Sequence, residues 1–403
     1  MNPATDITLT QMSLCLKISL QRFLLIAGGR PSAGGSGSGD RGRFPARVRE
    51  AGQMMGQVME TIEAVEGFAV ETLEGLIFTV KGLVHPPHRS IAYLRFMPDP
   101  EGDRKRGGVV YRRVYRFEEQ REILQRRFPI YIAYDPIFGF EVQGVPGQYM
   151  QRIYNPCLRL AEILEKGAKD PLEENSLAFA KFLKDAAGVP MSSLGVSGSV
   201  LVGLHRPGSD VDLAVYGDRE SRAVHGALGR ILDSGQGPVR RLDGAELAAL
   251  HASHRIDTPL TFSDFVRLQS RKTNEGYFAG IPYFIRFIKG KREGEQRYGD
   301  TSYEPLGKAT IRFRVTDDGD AIFTPCRYSV EEVLFLDRAG EADLREVVSF
   351  RGRFSDQVRT GEPATARGSL ERVVPREGKV HHRLAVGGEA GDYLLSRGQP
   401  ISK

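Results

Sequence analysis

Gly198, Ser199, Gly203, Ser209, Asp210 and Asp212 fall within fifteen residues of one another, in the order Gly-Ser-x-x-x-Gly, five residues, Ser-Asp-x-Asp. Asp210 and Asp212 are two apart on an apolar run, Val211, Leu213 and Val215. In a strand, residues two apart point to the same face. Both carboxylates then converge on one side while the valines and the leucine bury on the other. Two such carboxylates repel unless a cation lies between them. Hard oxygen ligands suit Mg²⁺ bound together with substrate phosphates. Gly198 and Ser199 are placed at a strand end and open a short helix, where free N–H groups favour a phosphate. The chemistry these types and spacings point to is therefore a metal ion and a phosphate held side by side.

That chemistry needs a fixed order of elements: strand, turn, short helix, loop, strand, then a longer helix. The sequence around the motif reads that way. Helices are expected over residues 172–187, 219–232, 244–252 and 262–269, with an apolar strand over 281–288. Pro282 near the start of that strand suggests an edge position. Upstream, residues 54–169 read as an α+β domain. It has strands at 76–83 and 90–96, a basic helix at 118–127, extended chain with an Asp135-Pro136 turn over 131–142, and a helix over 154–165. Arg104, Lys105, Arg106, Arg112 and Arg113 interleave with Tyr111 and Tyr115. This pattern fits either phosphates and stacked bases or a solvated charged hairpin. Downstream, residues 298–403 read as short strands at 309–315, 321–324, 346–350, 365–373 and 380–386, with a helix at 330–335. Such spacing predicts a small barrel or sandwich, OB-like in type. Its arginines at 312, 314, 327, 351 and 353, beside Phe313, Tyr328, Phe350 and Phe354, either grip an acceptor strand or pack this domain on its neighbour.

The motif resembles the DNA polymerase β-like nucleotidyltransferase superfamily in its Gly198-Ser199 pair, the short helix, and Asp210-x-Asp212 on the next strand. The multidomain arrangement is similar to uncharacterised archaeal members. The resemblance implies an α+β fold, with a transferase domain over 170–297 between the two flanking domains. It implies that Asp210 and Asp212 are catalytic and ligate Mg²⁺ or Mn²⁺. It makes Gly198 and Ser199 nucleotide contacts, has Gly203 allow close packing, and has Ser209 orient the loop that presents Asp210. The implied reaction moves a nucleoside monophosphate from a nucleoside triphosphate to an acceptor hydroxyl or phosphate, on RNA, DNA or a protein. The family also supplies a third carboxylate from a later strand. Residues 281–288 carry Arg286 instead and hold no acid. Arg286 is a candidate nucleotide contact, Asp264 and Glu275 are substitute acids, and a catalytically degenerate nucleotide- or nucleic-acid-binding protein is the alternative.

The chain has 403 residues, enough for two or three domains. Charged residues make up 27% and the net charge is +5, compatible with a nucleic-acid partner but also with an arginine-rich genome. Cys15, Cys157 and Cys326 follow no metal spacing, which predicts free thiols in a reducing cytoplasm. The apolar run at 16–27 is broken by Lys17, Gln21 and Arg22 and is too short to span a bilayer. Residues 1–53, with their Gly/Ser tract, read as a disordered tail or an over-extended start.

Overall fold

Three β-sheets succeed one another along the chain. The computed structural model describes residues 64–290, 296–338 and 343–396, all within one unit from Gly52 to Lys403. The expected tail and Cys15 lie outside the described residues.

The first sheet begins with β1 (Ala69–Thr72), β2 (Ile77–Val80), β3 (Arg89–Pro98), β4 (Arg104–Arg106) and β5 (Val109–Arg113). Helix α1 (Phe117–Arg127) follows, then β6 (Ile132–Asp135), β7 (Phe140–Pro146) and β8 (Met150–Tyr154). The strands order as β4-β5-β3-β2-β1-β8, with β7 on β3 and β6 on β7. The Asp135-Pro136 turn is where expected. Asp135 accepts from the backbone N–H groups of Ile137 and Phe138, and so turns β6 into β7.

Helix α2 (Pro156–Lys166) leads into α3 (Pro171–Ala187). The ends of α3 are written in its sequence. Asp170 accepts from the N–H groups of Leu172 and Glu173, Pro171 fills the first turn, and Gly188 closes the helix in the left-handed conformation at φ 65°. Then come β9 (Leu194–Val196), α4 (Gly198–Leu201), β10 (Val211–Tyr216) and α5 (Asp218–Ser234). The order is the one the motif demanded. The second sheet is completed by β11 (Val239–Arg240), α6 (Gly244–His254), α7 (Phe262–Gln269), β12 (Glu275–Phe278) and β13 (Ile281–Ile288), in the order β11-β12-β13-β10-β9.

Two faces of this second sheet have different partners. Val211, Leu213 and Val215 of β10 are buried in one core with Phe179, Ala180 and Leu183 of α3 and Val224 and Leu228 of α5. Asp212, Ala214 and Tyr216 turn the other way. There the chain before β1 lies against them: Tyr216 donates to the Glu66 carbonyl at 3.1 Å, and Ser197 donates to the Gly67 carbonyl at 3.2 Å. Gly67 is at φ +89°, and a Cβ on it would stand 2.9 Å from the Tyr216 hydroxyl. The first sheet is thus laid over the carboxylate-bearing face of the second.

One expectation about β13 is corrected. It is an inner strand, antiparallel to β12 and parallel to β10. Pro282 is tolerated because the ladder to β10 starts one residue later, at Val211 opposite Tyr283.

The third sheet holds β14 (Thr301–Asp317), β15 (Cys326–Phe335), β16 (Leu344–Ser349), β17 (Pro363–Pro375), β18 (His381–Ala385) and β19 (Tyr393–Ser396). Neighbours run β14-β15-β16-β18-β17, and β17 pairs back onto β14, which closes a ring of five strands. Residues 330–335, expected as a helix, are part of β15. Their apolar spacing fits either periodicity, and pairing with β14 decides it. Residues 321–324 are not a strand. They form an isolated bridge from Phe323 to Phe287, and plug the ring onto the end of β13. Among the described residues no helix is long and apolar enough to cross a membrane.

Candidate active site

Glycine at 198 sets the geometry of the site. Its φ is +60°, and a Cβ there would lie 2.8 Å from the Cβ of Asp212 and closer still to the carboxylate. The glycine is required for the approach of an acid. The Ser197 N–H donates to the Asp212 carbonyl at 2.8 Å and locks the turn before α4 onto β10. Asp210 stands one residue ahead of β10, so only Asp212 is held by the sheet itself.

The loop between α4 and β10 is fixed from several sides. Ser209 accepts from the Arg206 N–H at 3.0 Å and returns its own N–H to the Arg206 carbonyl at 3.0 Å, closing the turn ahead of Asp210. His205 meets Asp170, the cap of α3, at 2.8 Å. From the first sheet, Arg104 donates to the Leu204 carbonyl at 2.7 Å and Arg106 to the Val202 carbonyl at 3.1 Å. Gly203 adopts φ +66°, and a Cβ on it would meet nothing nearer than 3.7 Å. Its role is to turn the backbone; the close packing expected of it is absent.

Gly198, Ser199, Ser209, Asp210 and Asp212 all line one recess of about 110 Å³. Its opposite wall comes from the first sheet and includes Arg95, Arg104 and Arg113, with Arg206 at the loop. Among the described residues, neither Asp210 nor Asp212 accepts a side-chain hydrogen bond or forms an ion pair. Burial, and then the neighbouring Asp210, push the Asp212 carboxyl up to about 7, against the pull of Arg286, Arg95 and Arg113. Two adjacent carboxylates without donors, one of them reluctant to ionise, fit a divalent cation. No group of three or more His, Cys, Asp or Glu side chains is placed to hold a metal alone among the described residues. A cation here would therefore complete its shell with water and substrate phosphate, which is how Mg²⁺ is commonly bound.

A pH signature follows. The folded chain keeps the Asp212 proton up to about pH 7, whereas an unfolded aspartate loses it near about pH 4. Folding stability from this group therefore falls as pH rises through that interval, and the ionised form is destabilising above it. Asp212→Asn is expected to raise the melting temperature in chelator above about pH 7, with the gain vanishing toward about pH 4. Thermal melts across this range check it. A gain that is independent of pH would contradict the assignment.

Arg286 is placed beneath the recess and does not line it. Its Nε stands 3.2 Å from Glu66, a fully buried acid that also receives Lys81 and the Gly82 N–H. The substitute acids are elsewhere. Asp264 is tied to Thr261 and Arg267, and Glu275 accepts from Gln269 at 2.7 Å. Sequence reasoning missed Arg95 and Glu66. Arg95 carries a readable signal, a cation inside the apolar run 90–96, but Glu66 carries none, since nothing local marks it as buried.

In the C-terminal ring, Phe313, Tyr328 and Phe354 are buried in the core. Arg351 and Arg353 both grip Asp257, between α6 and α7. These residues bind the ring together and to its neighbour.

A family model described as a nucleotidyltransferase domain matches residues 178–291. An uncharacterized protein of Methanocaldococcus jannaschii is 31% identical over 327 residues, covering 79% of this chain and 94% of the relative. No solved structure matches the chain.

Proposed function

The chain belongs to the polymerase β-like nucleotidyltransferase superfamily, and from that membership we propose that it is a Mg²⁺-dependent enzyme transferring a nucleoside monophosphate from a nucleoside triphosphate to an acceptor hydroxyl or phosphate. The observation that carries the reading is the convergence of Gly198, Ser199, Asp210 and Asp212 on one recess. In the proposed step the acceptor oxygen bonds to the α-phosphorus. The bond from that phosphorus to the oxygen bridging to the β-phosphate breaks, and pyrophosphate leaves with the electron pair. A hydroxyl acceptor releases its proton to water. A cation supplies charge against the anionic transition state.

The chain's own residues divide that work. Asp210 and Asp212 hold the cation. Ser199, through its hydroxyl and N–H, contacts the β- and γ-phosphates, and Arg206 at the loop adds positive charge. Arg286, outside the recess, favours the ionised form of Asp212 through its charge. The succession of three sheets supports a three-domain division, with α2 packed into the core of the second sheet. The closed five-strand ring supports an OB-like reading of the last domain.

One observation favours the second reading, a degenerate binding protein: β13 carries Arg286 tied to Glu66 where the family supplies its third acid. Thermal melting with each nucleoside triphosphate, with and without Mg²⁺, tests whether the recess takes the proposed donor. Ligand binding stabilises the folded state by mass action, so a shift seen only with nucleotide and cation together is expected. No shift with any nucleotide would overturn both readings.

A further inference from the structure

The wall of the recess built by the first sheet holds two guanidiniums without a carboxylate. Arg95 on β3 and Arg113 at the end of β5 both line the recess. Among the described residues neither guanidinium makes a hydrogen bond or an ion pair. Their neighbours differ. Arg104 is spent on the Leu204 carbonyl, Arg106 on Glu71 and Tyr154, and Arg112 on Asp99 and Glu119. The charged hairpin is therefore mostly internal structure, and what it leaves over points at the site.

Both free guanidiniums stand over a single ring. Arg95 lies 4.9 Å and Arg113 5.2 Å from the centroid of Tyr115, which is 49% exposed. Neutralising the acid pair does not account for this arrangement, since neither arginine comes within ion-pair distance of Asp210 or Asp212. Unpaired arginines beside an exposed aromatic are the elements from which a phosphate and a stacked base are recognised.

We propose that Arg95, Arg113 and Tyr115 form the acceptor subsite, and that the acceptor presents a phosphorylated nucleotide unit, its base on Tyr115 and its phosphate between the two arginines. The assignment rests on the nucleotidyl-transfer reading of Asp210 and Asp212. It gives the donor the α4 side of the recess and the acceptor the first-sheet side, with the metal carboxylates between. It also moves acceptor recognition away from the C-terminal ring, whose Phe313, Tyr328 and Phe354 are buried.

The unit can be a free mononucleotide or the end of a strand. Fluorescence anisotropy with a short labelled single-stranded RNA, in chelator, reads strand binding without turnover, and AMP is the competitor. Arg95→Gln, Arg113→Gln and Tyr115→Leu are each expected to weaken RNA or AMP binding about tenfold. Displacement of RNA by AMP at equal affinity assigns the free nucleotide, and RNA held far more tightly than AMP assigns a strand end. Arg113 is exposed, so Arg113→Glu provides a variant that keeps the fold and should lose binding further. Because no transfer occurs in chelator, these affinities remain readable even in a protein with no transferase activity. The proposal is overturned if the wild-type protein binds neither probe. It is equally overturned if the variants keep both affinities, and a loss of ATP·Mg²⁺ binding beside them would make the two arginines donor contacts.

Discussion

Asp210→Ala and Asp212→Ala are each expected to lower metal-dependent transfer on the order of a thousandfold, with the fold intact. The size follows from the chemistry. A cation at the reacting phosphate contributes several kcal/mol of charge stabilisation, and each 1.4 kcal/mol or so is a factor of ten in rate. The two acids are not equivalent in stability. Asp212 is fixed in the sheet opposite Phe284, while Asp210 stands on the loop closed by Ser209 and Arg206. Both variants should melt at or above the wild-type temperature in chelator, since removing either carboxylate relieves the repulsion between them. Steady-state rates and melts on the same preparations check this. Full Mg²⁺-dependent activity in both single variants would mean that the metal is held elsewhere.

Gly198→Val carries the second large effect. A non-glycine residue at φ +60° costs about 1–3 kcal/mol in backbone strain. The new side chain would also occupy the space of the Asp212 carboxylate. Either the turn ahead of α4 opens or Asp212 is driven off, and both outcomes remove the metal site. Nucleotide affinity in Mg²⁺ should fall at least about tenfold, and the melting temperature should drop. The cause can be separated from simple strain by a double-mutant cycle with Asp212→Ala. Part of the Gly198→Val cost should disappear once the carboxylate is gone. Strictly additive losses would place the clash somewhere other than Asp212.

The transferase core was the most legible part of the chain. The alternation of Val211, Leu213 and Val215 around Asp212, the Gly198-Ser199 turn and the capped helices are local signals, and each is satisfied by short-range physics. Residues 262–269 and 281–288 emerge with the expected bounds for the same reason. What failed was set by distant partners. Residues 330–335 become a strand because they pair with β14, and Pro282 sits in an inner strand because the neighbouring ladder begins after it. The site itself was half legible. Its acids and its glycine come from one motif, but its second wall is brought from about a hundred residues upstream by the packing of one sheet over another. No local pattern distinguishes Arg113, which faces the recess, from Arg112, which is tied to Asp99 and Glu119. The close approach of Gly198 to Asp212, within the protein, was not legible either.

The central claim is that the recess at Asp210 and Asp212 moves a nucleotidyl group. Incubating the wild-type protein with Mg²⁺, a pool of RNA and nucleotides, and nucleoside triphosphates labelled separately at the α- and γ-phosphates measures it most directly. The expected result is α-label on the acceptor and γ-label in released pyrophosphate, both lost in Asp210→Ala and Asp212→Ala. Transfer of the γ-label to the acceptor, or α-label transfer that survives both substitutions, would contradict it.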